Sequence, residues 1–318
     1  MHIIDKYIPQ LVNVTESAAI ACSAWRGMGE EKQADKAAVE AMRTSLDSIE
    51  FDAKIVIGEG ERDEAPMLYI GETLGSGKEQ FDIAVDPLEG TTICANNMEN
   101  SIAVLAIAKH GDFLHAPDVY MEKLAAPKEV PAELISLDRS VSENLGNIAE
   151  HLDLLPSDIA VTVLNRPRHK DLIDQIRKFG AKVKLIGDGD INAVINTAMG
   201  DGQHLNLYMG TGGAPEGVLA AAALKTLGGH IQGRLLFNDD QKKRGADEMG
   251  IVNFDKIYTM DDMVRGECAF IATGVTDGTY LSGVRSFEES VSTHTMVLTS
   301  WNHGVTYLDR SARIFRAS

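Results

Sequence analysis

The sequence predicts an α/β fold, because two short hydrophobic strands in its first half end at acidic turns and its second half alternates strands with helices. The 318 residues are enough for one large domain or for two that share a cleft. A hydrophobic share of 44% and a charged share of 24% are ordinary for a soluble globular protein. Since the longest apolar runs fall short of the roughly 20 residues of a membrane-spanning helix, we expect no membrane partner.

The first half of the chain is expected to contain two helices and three strands. Apolar residues at three- and four-residue steps predict helices over residues 10–25 and 34–46. Hydrophobic runs that stop at a glycine or an Asp-Pro step predict strands over residues 54–58 and 81–85, and residues 101–108 form a third.

The second half alternates strands and helices at a spacing that favours a largely parallel sheet. The expected strands are residues 159–164, 183–186 and 205–209, and the expected helices are residues 169–179, 191–198 and 216–227. We expect residues 231–251 to be helical and the last 60 residues to combine short strands with turns. A boundary between two halves is placed near residue 150.

Charge and cysteine content narrow the function. A formal charge of −17 without a basic stripe argues against a nucleic-acid partner. Cys22, Cys94 and Cys268 lie far apart without a CxxC pair, so we expect all three to be buried hydrophobic side chains. The N-terminus has neither the basic nor the apolar part of a secretory signal, and a cytoplasmic location is therefore expected.

Two acidic motifs follow the two strands of the first half. The first is IGEGERDE, residues 57–64, in which glycines flank Glu59 and let its carboxylate approach a ligand closely. A solvated acidic loop is the simpler explanation of that motif.

The second motif is VDPLEGTT, residues 85–92, and it is the most specific pattern in the chain. Pro87 fixes one φ angle and Gly90 permits a tight turn, so Asp86 and Glu89 can point to one side with Thr91 just beyond. Oxygen ligands at this spacing suit Mg²⁺ or Mn²⁺, whereas an ordinary Asp-Pro turn accounts for neither Glu89 nor Thr91.

Three further motifs lie at strand ends in the second half, where open α/β sheets bind ligands. In GTGGAPEG, residues 210–217, a helix start with exposed backbone N–H groups could hold a phosphate, although Glu216 is equally explained as a helix-dipole charge. In RPRH, residues 166–169, two arginines could clamp a second phosphate. In DGD, residues 188–190, carboxylates could accept hydrogen bonds from sugar hydroxyls, and either of these last two motifs could instead be ordinary surface.

These motifs, together with residues 63–72 and the APDVYM stretch at residues 116–121, resemble in order those of bacterial class II fructose-1,6-bisphosphatases of the GlpX type. The resemblance covers about residues 12 to 285 and extends to the lithium-sensitive, inositol monophosphatase-like sugar phosphatases. It implies a layered sugar-phosphatase fold of alternating helix and sheet layers, whose two halves share an active-site cleft. It also makes residues 1–150 the metal-binding half and residues 151–318 the α/β substrate-binding half.

The resemblance assigns site residues by motif. It implies that Asp35 and Glu59 bind one divalent cation, Mn²⁺ or Mg²⁺, and that Asp86, Glu89 and Glu216 bind another. Thr91 with Asp63 would position the attacking water. The implied substrate contacts are Glu89, Gly90, Thr91 and Gly213 at the 1-phosphate, Tyr120, Arg166, Pro167 and Arg168 at the distal phosphate, and Asp188, Gly189 and Asp190 at the sugar.

The implied activity is hydrolysis of fructose 1,6-bisphosphate to fructose 6-phosphate, by a homo-oligomer. Sedoheptulose-1,7-bisphosphatase activity, alone or in addition, is the nearest alternative, and a phosphosugar-binding regulator without catalysis is another. Relatives often have Gly-Asp-Lys before the position of Asp35, whereas residues 29–35 read GEEKQAD, so the lysine's role does not transfer to Glu31 or Lys32. The resemblance is loose after Phe287, and no role is assigned there.

Overall fold

The computed structural model describes residues 2–60, 66–200, 202–237, 243, 246 and 250–313. Its helices are α1 (Ile8–Ser23), α2 (Glu31–Asp47), α3 (Thr91–Ala95), α4 (Val141–Leu152), α5 (Lys170–Phe179), α6 (Asp190–Met199), α7 (Ala214–Leu227) and α8 (Met260–Met263). Its strands are β1 (Asp52–Ile57), β2 (Thr73–Leu74), β3 (Gln80–Glu89), β4 (Ile102–Lys109), β5 (Tyr120–Ala126), β6 (Ile159–Leu164), β7 (Lys182–Ile186), β8 (Leu205–Gly213), β9 (His230–Leu236), β10 (Ile257–Thr259), β11 (Cys268–Gly274), β12 (Arg285–Ser286), β13 (Ser290–Thr299) and β14 (Gly304–Arg313). The predicted α/β class is confirmed.

The chain divides into two compact units, and each is described separately. Unit 1 comprises Met1–Phe113 and Gly266–Ser318, and unit 2 comprises Leu114–Arg265. The boundary expected near residue 150 coincides with neither junction, because that residue lies within α4 of unit 2. The assignment of metal binding to one half and substrate binding to the other stays a prediction.

Unit 1 is built on an eight-stranded sheet in the order β12-β13-β11-β4-β3-β1-β2, with β14 paired to β13. β1 and β3 run parallel, and the other described pairs are antiparallel. Helices α1 and α2 pack on each other, and both contact β3. The apolar face of α2, from Ala34 through Ala38 and Met42 to Leu46, follows the helical period and is fully buried in this core. The two predicted N-terminal helices are therefore confirmed.

Unit 2 is built on a six-stranded sheet in the order β10-β9-β5-β8-β6-β7. Only β7, β6 and β8 are parallel to one another, while β8, β5, β9 and β10 pair antiparallel. The prediction of a largely parallel sheet is therefore wrong for half of the strands, since β5 inserts between β8 and β9. Helices α4 and α5 form one packed pair and α6 and α7 another.

Two further expectations about the second half are corrected. Residues 231–236, at the start of the helix predicted over 231–251, belong instead to strand β9, whose burial alternates with the period of two of a strand. Much of the rest of that predicted helix, residues 238–242, 244, 245 and 247–249, lies outside the described residues. The C-terminal strands β13 and β14 have 10 residues each and pair along their whole length, rather than being short.

Cys22, Cys94 and Cys268 are buried free thiols, as predicted. Among the helices that the structure describes, none is both long and apolar enough to cross a membrane.

Candidate functional site

In unit 1, the carboxyl ends of the parallel strands β1 and β3 bring two candidate metal ligands to the same sheet edge. The register pairs Ile57 with Ala84, and Glu59 and Asp86 each follow two residues later. Both side chains are half-buried. Neighbouring parallel strands present their carboxyl ends together, so the two acidic motifs converge at this edge.

Strand β3 continues through the Asp-Pro step instead of ending at Val85 as expected. Pro87 has no N–H for the ladder, and the pairing with β4 shifts register between Asp86 and Glu89, which is a β-bulge. The Leu88 N–H donates to Asp86 Oδ1 at 3.1 Å, which fixes that carboxylate against its own turn. The bulge therefore orients Asp86, and the strand resumes at Glu89, which is only 5% exposed.

The turn after Glu89 requires a glycine. Gly90 has φ +80°, and a Cβ there would lie 2.9 Å from Ile93 Cδ1. The turn leads directly into α3, whose first residue is Thr91, and the Thr91 hydroxyl donates to the Leu88 carbonyl at 3.1 Å. Ser101 Oγ donates to the Glu89 carbonyl at 3.0 Å. The main chain thus holds Asp86, Glu89 and Thr91 on one short, tightly bonded segment.

Asp35 lies in α2, which packs against both β3 and α3. Burial raises the pKa of its half-buried carboxyl. A nearby cation would offset the free-energy cost of burying this carboxylate, so the position is consistent with a metal ligand.

The loop that follows β1 is closely packed around Gly58. A Cβ at Gly58 would lie 2.0 Å from the Leu68 carbonyl oxygen, which accepts a hydrogen bond from the Glu59 N–H at 3.0 Å. The buried Glu72 side chain accepts hydrogen bonds from Leu68 N–H and Arg43. Asp63, the candidate for positioning water, lies outside the described residues, as do the other residues from 61 to 65.

Tyr280 was not identified from the sequence. Its hydroxyl is buried and has no hydrogen-bond partner among the described residues. Burial, and to a smaller extent the charge of Glu89, raises the pKa of the phenol well above its usual range. Two main-chain hydrogen bonds join the loop of Tyr280 to the residues that precede β4. Asn100 N–H donates to the Asp277 carbonyl, and Val275 N–H donates to the Ser101 carbonyl. No sequence pattern connects Tyr280 with Glu89.

In unit 2, the pairing of β5 with β8 gathers the candidates for the distal phosphate. Tyr120 and Gly213 are register partners. The Arg168 guanidinium stacks 4.8 Å from the centre of the Tyr120 ring and donates twice to the Thr211 carbonyl, at 2.7 and 3.2 Å. Both side chains are solvent-exposed, and the arginine is held in place without losing its charge.

His169 fixes the turn that carries the two arginines. It ends the 3-10 helix Pro167–His169 and is 2% exposed. Its Nδ1 donates to the Leu164 carbonyl at 2.7 Å, and its Nε2 accepts from the Thr211 N–H at 2.8 Å. These partners select the neutral imidazole with the proton on Nδ1, in agreement with the lowering of the pKa of His169 by burial.

The segment 188–190 joins β7 to α6. Gly189 has φ +84° and precedes the first helical residue, Asp190, while Asp188 is half-buried. The Asn165 N–H donates to the Ile186 carbonyl at 2.7 Å, which ties the end of β6, before Arg166, to the end of β7. The exposed Arg166 therefore lies beside the β7 end of this segment.

Asp190, which is expected at the sugar, forms a buried ion pair through its Oδ2, and its contact with the sugar stays a prediction. Lys123 Nζ lies 2.7 Å from Asp190 Oδ2, with side-chain exposures of 1% and 6%. The Tyr208 hydroxyl donates to the same oxygen at 3.2 Å. Lys123 and Tyr208 were not predicted, since they lie on β5 and β8, 67 and 18 residues from Asp190, and no motif links them to it.

Glu216 occupies the first turn of α7 and is half-buried. Its Oε2 is buried and has no hydrogen-bond partner within the part of the chain that the structure describes. Burial first, and then the charge of Asp190, raise the pKa of this carboxyl, and Lys123 acts in the opposite direction. A Cβ at Gly213 would lie 1.9 Å from that Oε2, so the residue before the helix must be glycine for the carboxylate to keep this position.

The donor chemistry of the five candidates fits a hard divalent cation. All five are carboxylates, and a cation would satisfy the buried Oε2 of Glu216, which has no partner among the residues described. As the side chains stand, no group of three or more His, Cys, Asp or Glu residues within the described part of the chain is close enough to hold a metal. The ligand set therefore stays a prediction.

The chain has known relatives over nearly its whole length. The family described as bacterial fructose-1,6-bisphosphatase, glpX-encoded, matches residues 5–311. Proteins named D-fructose 1,6-bisphosphatase class 2/sedoheptulose 1,7-bisphosphatase are similar over nearly their whole length. Those of Synechococcus sp. (strain JA-3-3Ab), Trichodesmium erythraeum (strain IMS101) and Prochlorococcus marinus (strain MIT 9312) are 45%, 43% and 45% identical. The alignments cover 94%, 94% and 96% of this chain and 93%, 94% and 94% of the relatives.

Proposed function

We propose that this chain, which belongs to the family of glpX-encoded bacterial fructose-1,6-bisphosphatases, hydrolyses the 1-phosphate of fructose 1,6-bisphosphate. The products are fructose 6-phosphate and inorganic phosphate. The observation that carries the proposal is the segment from Asp86 to Thr91, where a bulge and a left-handed glycine hold two carboxylates and a hydroxyl on one turn. We place the reaction in the cytoplasm and expect the enzyme to be a homo-oligomer.

A divalent cation requirement is typical of this phosphatase family, and we propose Mn²⁺ or Mg²⁺. Asp35 and Glu59 are assigned to one cation and Asp86, Glu89 and Glu216 to another. When bound, such cations lower the pKa of water and offset the charge that develops on phosphoryl oxygens. The raised pKa of Asp35 and the unpartnered oxygen of Glu216 support the assignment, because both describe carboxylates whose burial needs a compensating positive charge.

The substrate contacts are assigned by the chemistry of each side chain. The 1-phosphate is assigned to Glu89, Gly90, Thr91 and Gly213, where backbone N–H groups can donate to phosphate oxygens. The distal phosphate is assigned to Tyr120, Arg166, Pro167 and Arg168, since guanidinium groups match phosphate oxygens. The sugar hydroxyls are assigned to Asp188, Gly189 and Asp190.

The proposed reaction is a direct displacement. The oxygen of a water molecule attacks phosphorus, the bond between phosphorus and the sugar oxygen breaks, and the sugar oxygen leaves and takes a proton. The Thr91 hydroxyl orients the water, and Asp63 is assigned to receive its proton. Because Thr91 Oγ1 already donates to the Leu88 carbonyl, its oxygen lone pairs remain available to accept a hydrogen bond from water.

Sedoheptulose 1,7-bisphosphate is the second candidate substrate. The printed names of the relatives include both activities, and the two substrates present the same reacting end. We therefore propose a dual activity as the alternative to a strict preference for the fructose substrate.

The test is release of inorganic phosphate from each bisphosphate with Mn²⁺, with Mg²⁺ and with excess chelator. Metal-dependent release from fructose 1,6-bisphosphate supports the proposal, and the ratio of the two rates defines the substrate preference. If neither substrate releases phosphate with either metal while circular dichroism reports a folded protein, the proposed activity is wrong, and a phosphosugar-binding role becomes the better interpretation.

A further inference from the structure

We propose that Lys123 is a positioning residue for the substrate: its buried ammonium holds the Asp190 carboxylate and so sets the sugar-binding segment 188–190. This inference rests on the proposed function, because it assigns a role within the same site. Lys123 is 1% exposed, so it acts through Asp190 rather than by contact with substrate.

The ion pair is built to leave Asp190 one orientation. Lys123 Nζ and the Tyr208 hydroxyl both donate to Asp190 Oδ2, at 2.7 and 3.2 Å, from two neighbouring strands. Two donors that converge on one oxygen from a rigid sheet fix the rotation of the carboxylate. Hydrogen bonds to a charged group are among the stronger ones in proteins, so this orientation is well defined.

The surrounding glycines show how closely the sheet fits this pair. A Cβ at Gly212 would lie 2.0 Å from Asp190 Oδ2 and 3.1 Å from Lys123 Nζ. A Cβ at Gly217, in α7, would lie 3.7 Å from Lys123 Cδ and 2.6 Å from Met121 Sδ. At position 212, only a residue without a side chain leaves room for the ammonium and the carboxylate to meet.

A buried ion pair is weak support for a purely structural role. Well-packed hydrophobic residues of similar volume are often as stable as such a pair, or more stable. The specific consequence of this pair is the geometry at the start of α6, where Asp190 is the first helical residue and follows the left-handed Gly189. Asp188 immediately precedes Gly189. A rotation of the Asp190 side chain would therefore shift the main chain of segment 188–190, which is assigned to the sugar.

The test compares Lys123→Met with Lys170→Met, a matched control that removes a lysine with a 78% exposed side chain in the same unit. We expect Lys123→Met to raise KM for fructose 1,6-bisphosphate by about 10-fold or more, the effect of losing a hydrogen bond to a charged group. At a saturating concentration of Mn²⁺, we expect kcat and the inhibition constant of inorganic phosphate to stay within about threefold of wild type. The control should change none of these values.

A double variant separates positioning from a general structural effect. If Lys123 acts through Asp190, Asp190→Asn and the pair Lys123→Met/Asp190→Asn should have the same KM, because the second change removes nothing further. Additive increases in KM would overturn the inference, as would an unchanged KM in Lys123→Met. Should Lys123→Met not fold, Tyr208→Phe decides: we expect a smaller rise in KM, and an unchanged KM would overturn the inference.

The wild-type enzyme keeps this test distinct from the proposed function. If wild type releases no phosphate from either bisphosphate, the proposed function fails, and with it the inference that rests on it. If wild type is active and the variants keep its KM, only the role of Lys123 fails.

Discussion

The two units position their candidate site residues by different means. In unit 1 the candidates are carboxylates and a threonine, and the main chain places them through the parallel register of β1 and β3, the bulge before Glu89 and the left-handed Gly90. In unit 2 the candidates carry both signs of charge, and side-chain contacts place them, such as Arg168 to Thr211 and Lys123 to Asp190. Carboxylates that the main chain places can bind cations at the reacting phosphate, whereas the side-chain contacts of unit 2 suit recognition of the substrate. Changes in unit 1 should therefore lower kcat, and changes in the clamps of unit 2 should raise KM.

The largest effect is expected for Thr91→Ala in unit 1. Loss of the hydroxyl that orients the water should lower kcat by about 10²–10⁴-fold. The fold should persist, because the variant loses one hydrogen bond, which contributes about 1 kcal/mol. Initial-rate kinetics and metal titration measure the effect, and Thr92→Ala, an exposed neighbour, is the matched control. Retained turnover in Thr91→Ala would remove the hydroxyl from the mechanism.

Glu216 is the exception in unit 2, because the main chain at Gly213 leaves room for its carboxylate. The variant Gly213→Ala tests this placement. The new Cβ would lie 1.9 Å from Glu216 Oε2, so the carboxylate must move. If Glu216 binds a cation, the metal concentration for half-maximal activity should rise by about 10–100-fold, as for other changes that disturb a ligand's orientation. Gly146→Ala, whose Cβ would meet only Phe179 at 4.0 Å, is the control. An unchanged metal requirement would exclude Glu216 from the metal site.

Because His169 is buried beside the turn that carries Arg166 and Arg168, we expect the stability of the protein to depend on pH. Burial lowers the pKa of His169 below the value of about 6.5 expected in the unfolded chain. The contribution of His169 to the free energy of unfolding is complete above pH 6.5. It is lost as the pH falls towards the lower native pKa, because the unfolded chain takes up the proton first. The free energy of unfolding should therefore fall more steeply between pH 7 and pH 5 in wild type than in His169→Gln. Parallel slopes in urea titrations would contradict this.

The smallest effect is expected for Tyr280→Phe. The variant removes a buried hydroxyl that has no partner among the described residues, so the stability of the protein without ligands should stay the same or rise by up to about 1 kcal/mol. Thermal unfolding measures this, with Tyr258→Phe as the control tyrosine. A clear loss of stability would mean that the hydroxyl makes a bond in solution that the structure does not include.

The sequence was sufficient to predict features that depend on local order. The two acidic motifs each follow a hydrophobic strand, and parallel pairing of those strands then brings Glu59 and Asp86 to one edge. The helical period of α1 and α2, and the proline and glycines around α7, are equally local signals.

Features that depend on distant pairing could not be predicted in the same way. Lys123 and Asp190 are 67 residues apart, and neither carries a local mark of its partner. The insertion of β5 between β8 and β9 depends on strand order, which the alternation of helices and strands does not specify. Gly213 is assigned to the 1-phosphate, but no local pattern predicts that Gly212 and Gly213 also leave room for the carboxylates of Asp190 and Glu216.

The central claim is that unit 1 determines kcat and the side-chain contacts of unit 2 determine KM. Steady-state kinetics of Glu89→Gln and Arg168→Lys on fructose 1,6-bisphosphate test it most directly. We expect Glu89→Gln to lower kcat by about 10²-fold or more, because a neutral amide is a poor cation ligand. Arg168→Lys should raise KM by about 10-fold while kcat stays near wild type, because lysine cannot reproduce the planar fork of arginine. A Glu89→Gln variant that keeps its kcat, or an Arg168→Lys variant that loses kcat at an unchanged KM, would contradict the account.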